Sequence, residues 1–330
     1  MILLSKKKLD RIIERDNTDR MISRLVNVFS KAVIPLLVIE GVIALLLSGK
    51  INIFISMLAF VLLDVALPFL ICFSAIFIDA ALKIIRSTGG VISAIRSFGS
   101  IRRTKRYYNL FMDELCSDNT LAEALSLEKA SGGKGYAYLS ALSHVMECHG
   151  MRCEFDEAKS AFDKLIELPQ KDFMSRNDFI VNALDYAVYT DNHKLYLDTI
   201  SEYEDVLVRL EDRDTTSVCV LLTIAANEHK LHGDFRTALQ YLEWYQEYRA
   251  KMIQQGKNTN QRPVRNFRRY SDATVCLDKA EIYLLLKDPE NARTELVAAD
   301  EAISALTCDI PPVFIKEREK LISLLREEKI

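Results

Sequence analysis

Apolar residues follow two regimes along this chain. Between Ala32 and Leu82 they run almost without interruption, whereas beyond Tyr107 they recur every three or four residues. The first regime predicts membrane-spanning helices and the second predicts amphipathic ones. "AVIPLLVIEGVIALLLS" (Ala32 to Ser48) carries a single charge, Glu40. At about 1.5 Å per residue it crosses most of a hydrocarbon core about 30 Å thick. The second run, Ile51 to Leu82, has no basic residue and is longer than a span needs, which predicts tilt or an interfacial end. "SGKIN" between the runs is a polar hinge. About thirty charge-rich residues precede the first run and no small-residue cleavage site follows it, so the pattern is an anchor rather than a secretory signal.

Basic residues orient the anchor. Lys6, Lys7, Lys8, Arg11, Arg15, Arg20, Arg24 and Lys31 precede it, and Lys83, Arg86, Arg96, Arg102, Arg103, Lys105 and Arg106 follow it with no acid among them. The hinge offers only Lys50. Positive flanks stay cytoplasmic. The expectation is a two-helix transmembrane hairpin in a bacterial inner membrane, with the hinge outside and both termini in the cytoplasm. Of the seven cysteines, only Cys72 falls in a span, and a reducing compartment argues against a disulfide framework.

Charge divides the chain in the same way. Beyond Arg106 there are 27 basic residues against 39 acids, although the whole chain is only −3. An acidic module thus hangs from a basic collar. "GGVISAIRSFGSIRR" places Val91, Ile92, Ile95, Phe98 and Ile101 on one stripe and Arg96, Arg102 and Arg103 off it. This predicts an amphipathic segment against anionic headgroups, at roughly 1 kcal/mol per basic residue; the alternative is a linker helix packed on the module. The expected divisions are 1–31, a basic N-terminal segment; 32–82, the hairpin; 83–106, the juxtamembrane segment; and 107–330, a helical module that folds alone.

Within the module, helical pairs recur. "FDEAKSAFDKLIELP", "GDFRTALQYLEWYQEY" and "DPENARTELVAADEAI" each follow a short turn and an earlier amphipathic helix. One hairpin cannot bury its own stripe, so neighbours must stack and a last helix must cap them. The matched positions are Leu222, Ala226, His229, Gly233, Ala238 and Leu242 in one unit. They are Ala280, Tyr283, Ala292 and Leu296 in another, with Lys287 at the turn, and Met146, His149, Ala158 and Phe162 in a third. A further hairpin has Tyr196 at the alanine position. On these residues the chain resembles the tetratricopeptide repeat family over residues 136 to 305. The anchors Ala158, Tyr196, Ala238 and Ala292 are 38, 42 and 54 apart, rather than the roughly 34 of that family. Residues 311 to 330 are expected to cap the stack, with Phe314, Leu321, Leu324 and Leu325 buried and Lys316 to Lys320 mostly solvated.

The resemblance implies an all-α solenoid whose first helices bind an extended or helical segment of another protein. The lining positions would be Ser143, Glu147, Asp178, Asp185, Thr223, Asn227, Lys230, Thr274 and Glu281, and the acids favour a basic partner. Other features suggest less. His144, Cys148, His149 and Cys153 include zinc-ligand types, but His149 and His229 share a repeat position where a flat ring packs on the partner helix. Arg262, Arg265, Arg268 and Arg269 interleave with Phe267 and Tyr270, which fits phosphate or lipid contact or a solvated loop; nucleic acid is not expected. Glu40 and Asp64 are costly within a membrane and are functional candidates by default. No catalytic motif appears and no cofactor or resident metal is expected. The reading is a membrane-anchored scaffold or adaptor, not an enzyme, whose hairpin also allows a homo-oligomer. The alternative is an oligomeric transport or channel component using Glu40 and Asp64.

Overall fold

The computed structural model describes residues 1–15, 91–168, 173–209, 215–256 and 265–327. The apolar runs, the hinge, Glu40, Asp64 and Arg262 lie outside the described residues. No described helix is long and apolar enough to cross a membrane. Among the described residues all regular structure is helical. Contacts divide the chain into two units, Met1–Leu9 with Ser87–Ile330, and Asp10–Arg86. Of the second unit, residues 10–15 are helical, and Ile12 and Ile13 are buried there.

The first unit begins its helical stack with α1 (Val91–Glu114) and α2 (Asp118–Ala130). Ser117 caps α2 by accepting from the Thr120 N–H, a bond of the type that contributes about 1 kcal/mol. Four antiparallel pairs follow. They are α3 (Gly135–Met151) with α4 (Phe155–Ile166), and α5 (Phe173–Tyr189) with α6 (His193–Leu207). Then come α7 (Thr215–Leu231) with α8 (Phe235–Gly256), and α9 (Arg265–Leu285) with α10 (Pro289–Ser304). The chain ends in α11 (Pro312–Glu327).

The four pairs share one turn. Its second residue is left-handed: Cys153 at φ 59°, Asp191 at 54°, Gly233 at 80° and Lys287 at 61°. Glycine adopts this conformation without steric cost, whereas Cys153 and Lys287 carry a strain of about 1–2 kcal/mol that the surrounding bonds must offset. Those bonds are the same each time. The N–H groups of Glu154, Asn192, Asp234 and Asp288 reach back to the carbonyls of His149, Ala187, His229 and Tyr283 at 2.8–2.9 Å. Four residues into each second helix stands the anchor expected from sequence. Ala158, Ala238 and Ala292 are 0% exposed and Tyr196 3%, with the Tyr196 hydroxyl donating to the Ile224 carbonyl at 3.0 Å. The unequal anchor spacing reflects helix length, since α4, α6 and α8 have 12, 15 and 22 residues and α9 has 21 against 17 in α5 and α7. The architecture is therefore all-α and repeat-like.

Two features depart from an open stack with a cap at its end. Helix α9 packs back on α1, where Phe111 and Phe267 stand 5.7 Å apart and Asn266 donates to the Asp113 carbonyl. Tyr107, Phe111 and Leu115 thereby share one core with Ala273, Leu277, Ala280 and Leu284. Helix α11 contacts both α9 and α3, the first helices of the last and first pairs, with Phe314 4.9 Å from Tyr270. Its buried residues are Val313, Phe314, Leu321 and Leu325; Leu324, expected inside, is 38% exposed. Burying each such side chain stabilises by about 1.5–3 kcal/mol, so this closing contact is strong. At the α3–α5 crossing, Gly150 brings the backbones close enough that an added Cβ would lie 2.3 Å from Tyr189 Cδ2.

Candidate partner-binding groove and N-terminal docking site

Carboxyl groups from four helices converge on one interior. Glu147 on α3 is pushed up to about 8 by burial and then by Asp185. Asp185 on α5 is raised to about 7 by burial. Asp278 on α9 reaches about 6, since burial outweighs the help of Lys230. Glu317 on α11 reaches about 7 through burial and repulsion from Asp278. Asp185 is nevertheless exposed to solvent on the face of α5. Solvent therefore screens it, so its electrostatic penalty is smaller than full burial would impose.

A single lysine on α7 reaches into this interior. Lys230 Nζ lies 2.6 Å from Glu281 Oε2, and Lys320 of α11 lies 3.1 Å from the other oxygen. Burial alone would raise Glu281, but Lys230 and then Lys320 outweigh it and bring the carboxyl down to about 2. Two lysines thus serve one glutamate, while Glu147, Asp185 and Asp278 have no ion pair within 4 Å among the described residues. Tyrosines fill the spaces between them. Burial raises Tyr108, followed by the charges of Glu147 and Asp178, and the Tyr189 hydroxyl bonds that of Tyr270. Asn227 stands within hydrogen-bonding reach of the Tyr196 hydroxyl.

The lining positions expected from sequence thus separate into two groups. Glu147, Asp178, Asp185, Asn227, Lys230 and Glu281 fall within this network. Ser143, Thr223 and Thr274 turn their hydroxyls to the Leu139, Val220 and Tyr270 carbonyls of their own helices at 2.8–3.1 Å. Ser143 also accepts from Asn182, at 2.7 Å. Lys230, expected to be free for a ligand, is already paired. Asp278, Glu317 and Lys320 escaped the sequence reading. Asp278 lies on α9 between Thr274 and Glu281, so its face was legible; Glu317 and Lys320 depend on where α11 lands.

The other candidates are dispersed. Arg96 and Arg102 lie on α1 and Arg265 on α9, their side chains outside the described ones. Arg103, Lys105 and Arg106 are exposed, with Arg106 3.3 Å from Glu123. Arg268 is exposed beside Asp272, and one guanidinium nitrogen of Arg269 is buried with no hydrogen-bond partner in the structure. His144 stacks on Tyr107 with centroids 4.0 Å apart, and Cys148 Sγ is 3.9 Å from the Tyr107 hydroxyl. His149 Nδ1 bonds Glu154 across the turn at 2.6 Å, as His229 Nδ1 bonds Asp234 at 3.0 Å. His144, Cys148 and His149 thus have structural partners, Cys153 packs partly buried against the core, and no metal-binding cluster occurs among the described residues.

A second site went unread in the sequence. Residues 1–5 have no regular structure, and residues 6–15 are helical. Ile2 is wholly buried, while Leu3 is 78% exposed, the alternation of an extended segment. The Ile2 N–H donates to Glu228 Oε2 at 2.8 Å, and the Ile2 carbonyl accepts from His229 Nε2 at 3.0 Å. The Leu4 N–H donates to the Tyr241 hydroxyl at 2.9 Å, and Lys6 pairs with Glu247 at 2.7 Å. Glu228, His229 and Tyr241 are 1–3% exposed.

No protein-family model matches the chain, and no curated protein or solved structure is significantly similar to it.

Proposed function

We propose that this is a membrane-anchored interaction protein whose helical hairpins, of the tetratricopeptide-repeat kind, receive a basic segment of a partner protein. One observation carries the reading. Carboxyls on α3, α5 and α9 converge with no ion pair within 4 Å among the described residues, and burial raises the pKa of each, Asp278 least because Lys230 partly offsets it. A lysine or arginine side chain entering there would supply a counter-charge and release their protons. Because α11 lies across α3 and α9, a slender occupant fits better than a whole helix.

The anchor draws support from a different direction. Met1–Leu9 and Ser87–Ile330 belong to one compact unit. That grouping supports an even number of crossings between the two segments. A two-span hairpin meets that condition, and the basic flanks favour the cytoplasmic side for both ends. Exposed Arg103, Lys105 and Arg106 would then face anionic headgroups.

The test is photo-cross-linking of the full chain in native membranes, with partners recovered by mass spectrometry. Glu147→Gln, Asp185→Asn and Asp278→Asn combined should reduce recovery at least tenfold while leaving the melting temperature unchanged or raised. Unchanged recovery would reject the groove and favour binding through Arg262, Arg265, Arg268 and Arg269.

A further inference from the structure

We infer that the α7–α8 pair carries a separate binding site for a short extended peptide, and that residues 1–4 of this chain are its resident ligand. The site has the elements of backbone recognition. Glu228 accepts the N–H of Ile2, His229 meets the carbonyl of the same residue, and Tyr241 takes the N–H two residues on. Both hydrogen-bonding groups of one peptide residue are thus read by adjacent side chains of α7. Side-chain selection sits at Ile2, which is 0% exposed between outward-facing Met1 and Leu3. Lys6 against Glu247 adds a charge preference at the far end.

The receptor residues are prepared independently of the segment. His229 is oriented by Asp234 at its other nitrogen, and its ring meets Tyr241 edge-on at 5.3 Å. Asp234 belongs to the turn that all four pairs share, so the hairpin itself aims the ring. Glu228 has the opposite character. It is 3% exposed with the segment in place, its carboxylate accepting from the Ile2 N–H and lying 3.6 Å from the Met1 ammonium. Without the segment it loses that hydrogen bond and the nearby ammonium, which leaves its carboxylate open to water or to the N–H of another backbone. An empty site of this kind is primed for an equivalent strand. The ligand class is an extended segment with a branched aliphatic residue, an N–H two residues later and a basic residue two beyond that. The site lies beside the acidic groove, as Glu228 and His229 directly adjoin Asn227 and Lys230 in sequence, but it uses none of the groove carboxyls.

The experiment empties the site in the full chain and refills it from solution. Ile2→Ser, Leu3→Ser and Leu4→Ser together remove the resident while keeping the chain length. A synthetic peptide of residues 1–8, labelled at its C-terminus, is titrated in detergent micelles and followed by fluorescence anisotropy. The emptied chain should bind it saturably and at least tenfold more tightly than the intact chain, whose site is occupied. A Leu3→Asp peptide should bind within threefold of the parent, and an Ile2→Asp peptide at least tenfold more weakly. Absence of saturable binding, equal binding to both chains, or equal weakening by the two peptide changes would overturn the inference. If the emptied chain does not fold, hydrogen exchange at the Leu4 amide of the intact chain decides. Protection that survives Leu3→Asp and is lost in Ile2→Asp supports the site, whereas exchange of Leu4 at the free-peptide rate in the unmodified chain rejects it.

Discussion

Replacing Gly150 by alanine tests the crossing of α3 and α5. In an ordinary helix the change stabilises, by up to about 1 kcal/mol. Here the new methyl would lie 2.3 Å from Tyr189 Cδ2 and 2.7 Å from both Cγ and Cε2. Non-bonded carbons prefer about 3.5–4.0 Å, so the overlap is about 1 Å or more against the body of a ring, not the tip of a flexible chain. Tyr189 is held against retreat, because its hydroxyl is bonded to Tyr270 and its ring packs partly buried on the core. Overpacking of this type costs about 1–3 kcal/mol, which exceeds the gain in helix propensity. The expected net loss is about 1–2 kcal/mol, or a melting temperature lower by about 2–8 °C for a unit of this size. Thermal denaturation of the full chain in detergent, followed by circular dichroism, measures it. A second arm combines Gly150→Ala with Tyr189→Ala. With the ring gone, the Gly150 change should become neutral or stabilising, giving a coupling energy of opposite sign to the single effect. A raised melting temperature for Gly150→Ala alone would refute the close crossing of α3 and α5.

Ala238→Trp, at a position 0% exposed between α7 and α8, should lower stability by about 1–3 kcal/mol, whereas Val297→Trp, at 58% exposure, should stay within about 0.5 kcal/mol; equal melts would remove Ala238 from the helix contact. Glu147 and Asp185 keep their protons in the fold up to about pH 8 and 7, while in the unfolded chain carboxyls release them near pH 4. The fold binds more protons between these limits, so melting temperature should fall as pH rises from about 5 to 8, and Glu147→Gln with Asp185→Asn should flatten that slope; an identical slope in the double variant would count against the raised carboxyls. A cysteine placed at Asn52 should react with an impermeant thiol reagent in intact cells and one at Ser131 should not, and the reverse pattern would overturn the proposed topology.

Local spacing carried most of the repeat. An alanine four residues past a turn, followed by a bulky residue, is legible because both partners of the contact lie within one hairpin. The shared turn explains why Lys287 serves where glycine is usual: the left-handed residue is held by the Asp288 N–H bonding the Tyr283 carbonyl, a bond the backbone supplies whatever the side chain. The acids of the groove were legible for the same reason, since Glu147, Asp185 and Glu281 fall on the face opposite each packing stripe.

Tertiary structure decided what lies across those faces. Leu324 was expected inside and Glu317 in solvent, yet Leu324 is exposed and Glu317 half-buried, because α11 turns towards α3 and α9 instead of only ending the stack. Helical periodicity gives the faces of a helix but not the surface each face meets. His229 illustrates the same limit. Its ring was expected to pack on the partner helix, and it does meet Tyr241, yet its second nitrogen serves Ile2 from 227 positions away. No pattern in a window of a few turns encodes that pairing. It arises only once the hairpin has set the ring's direction and the carboxylate of Glu228 has accepted the Ile2 N–H.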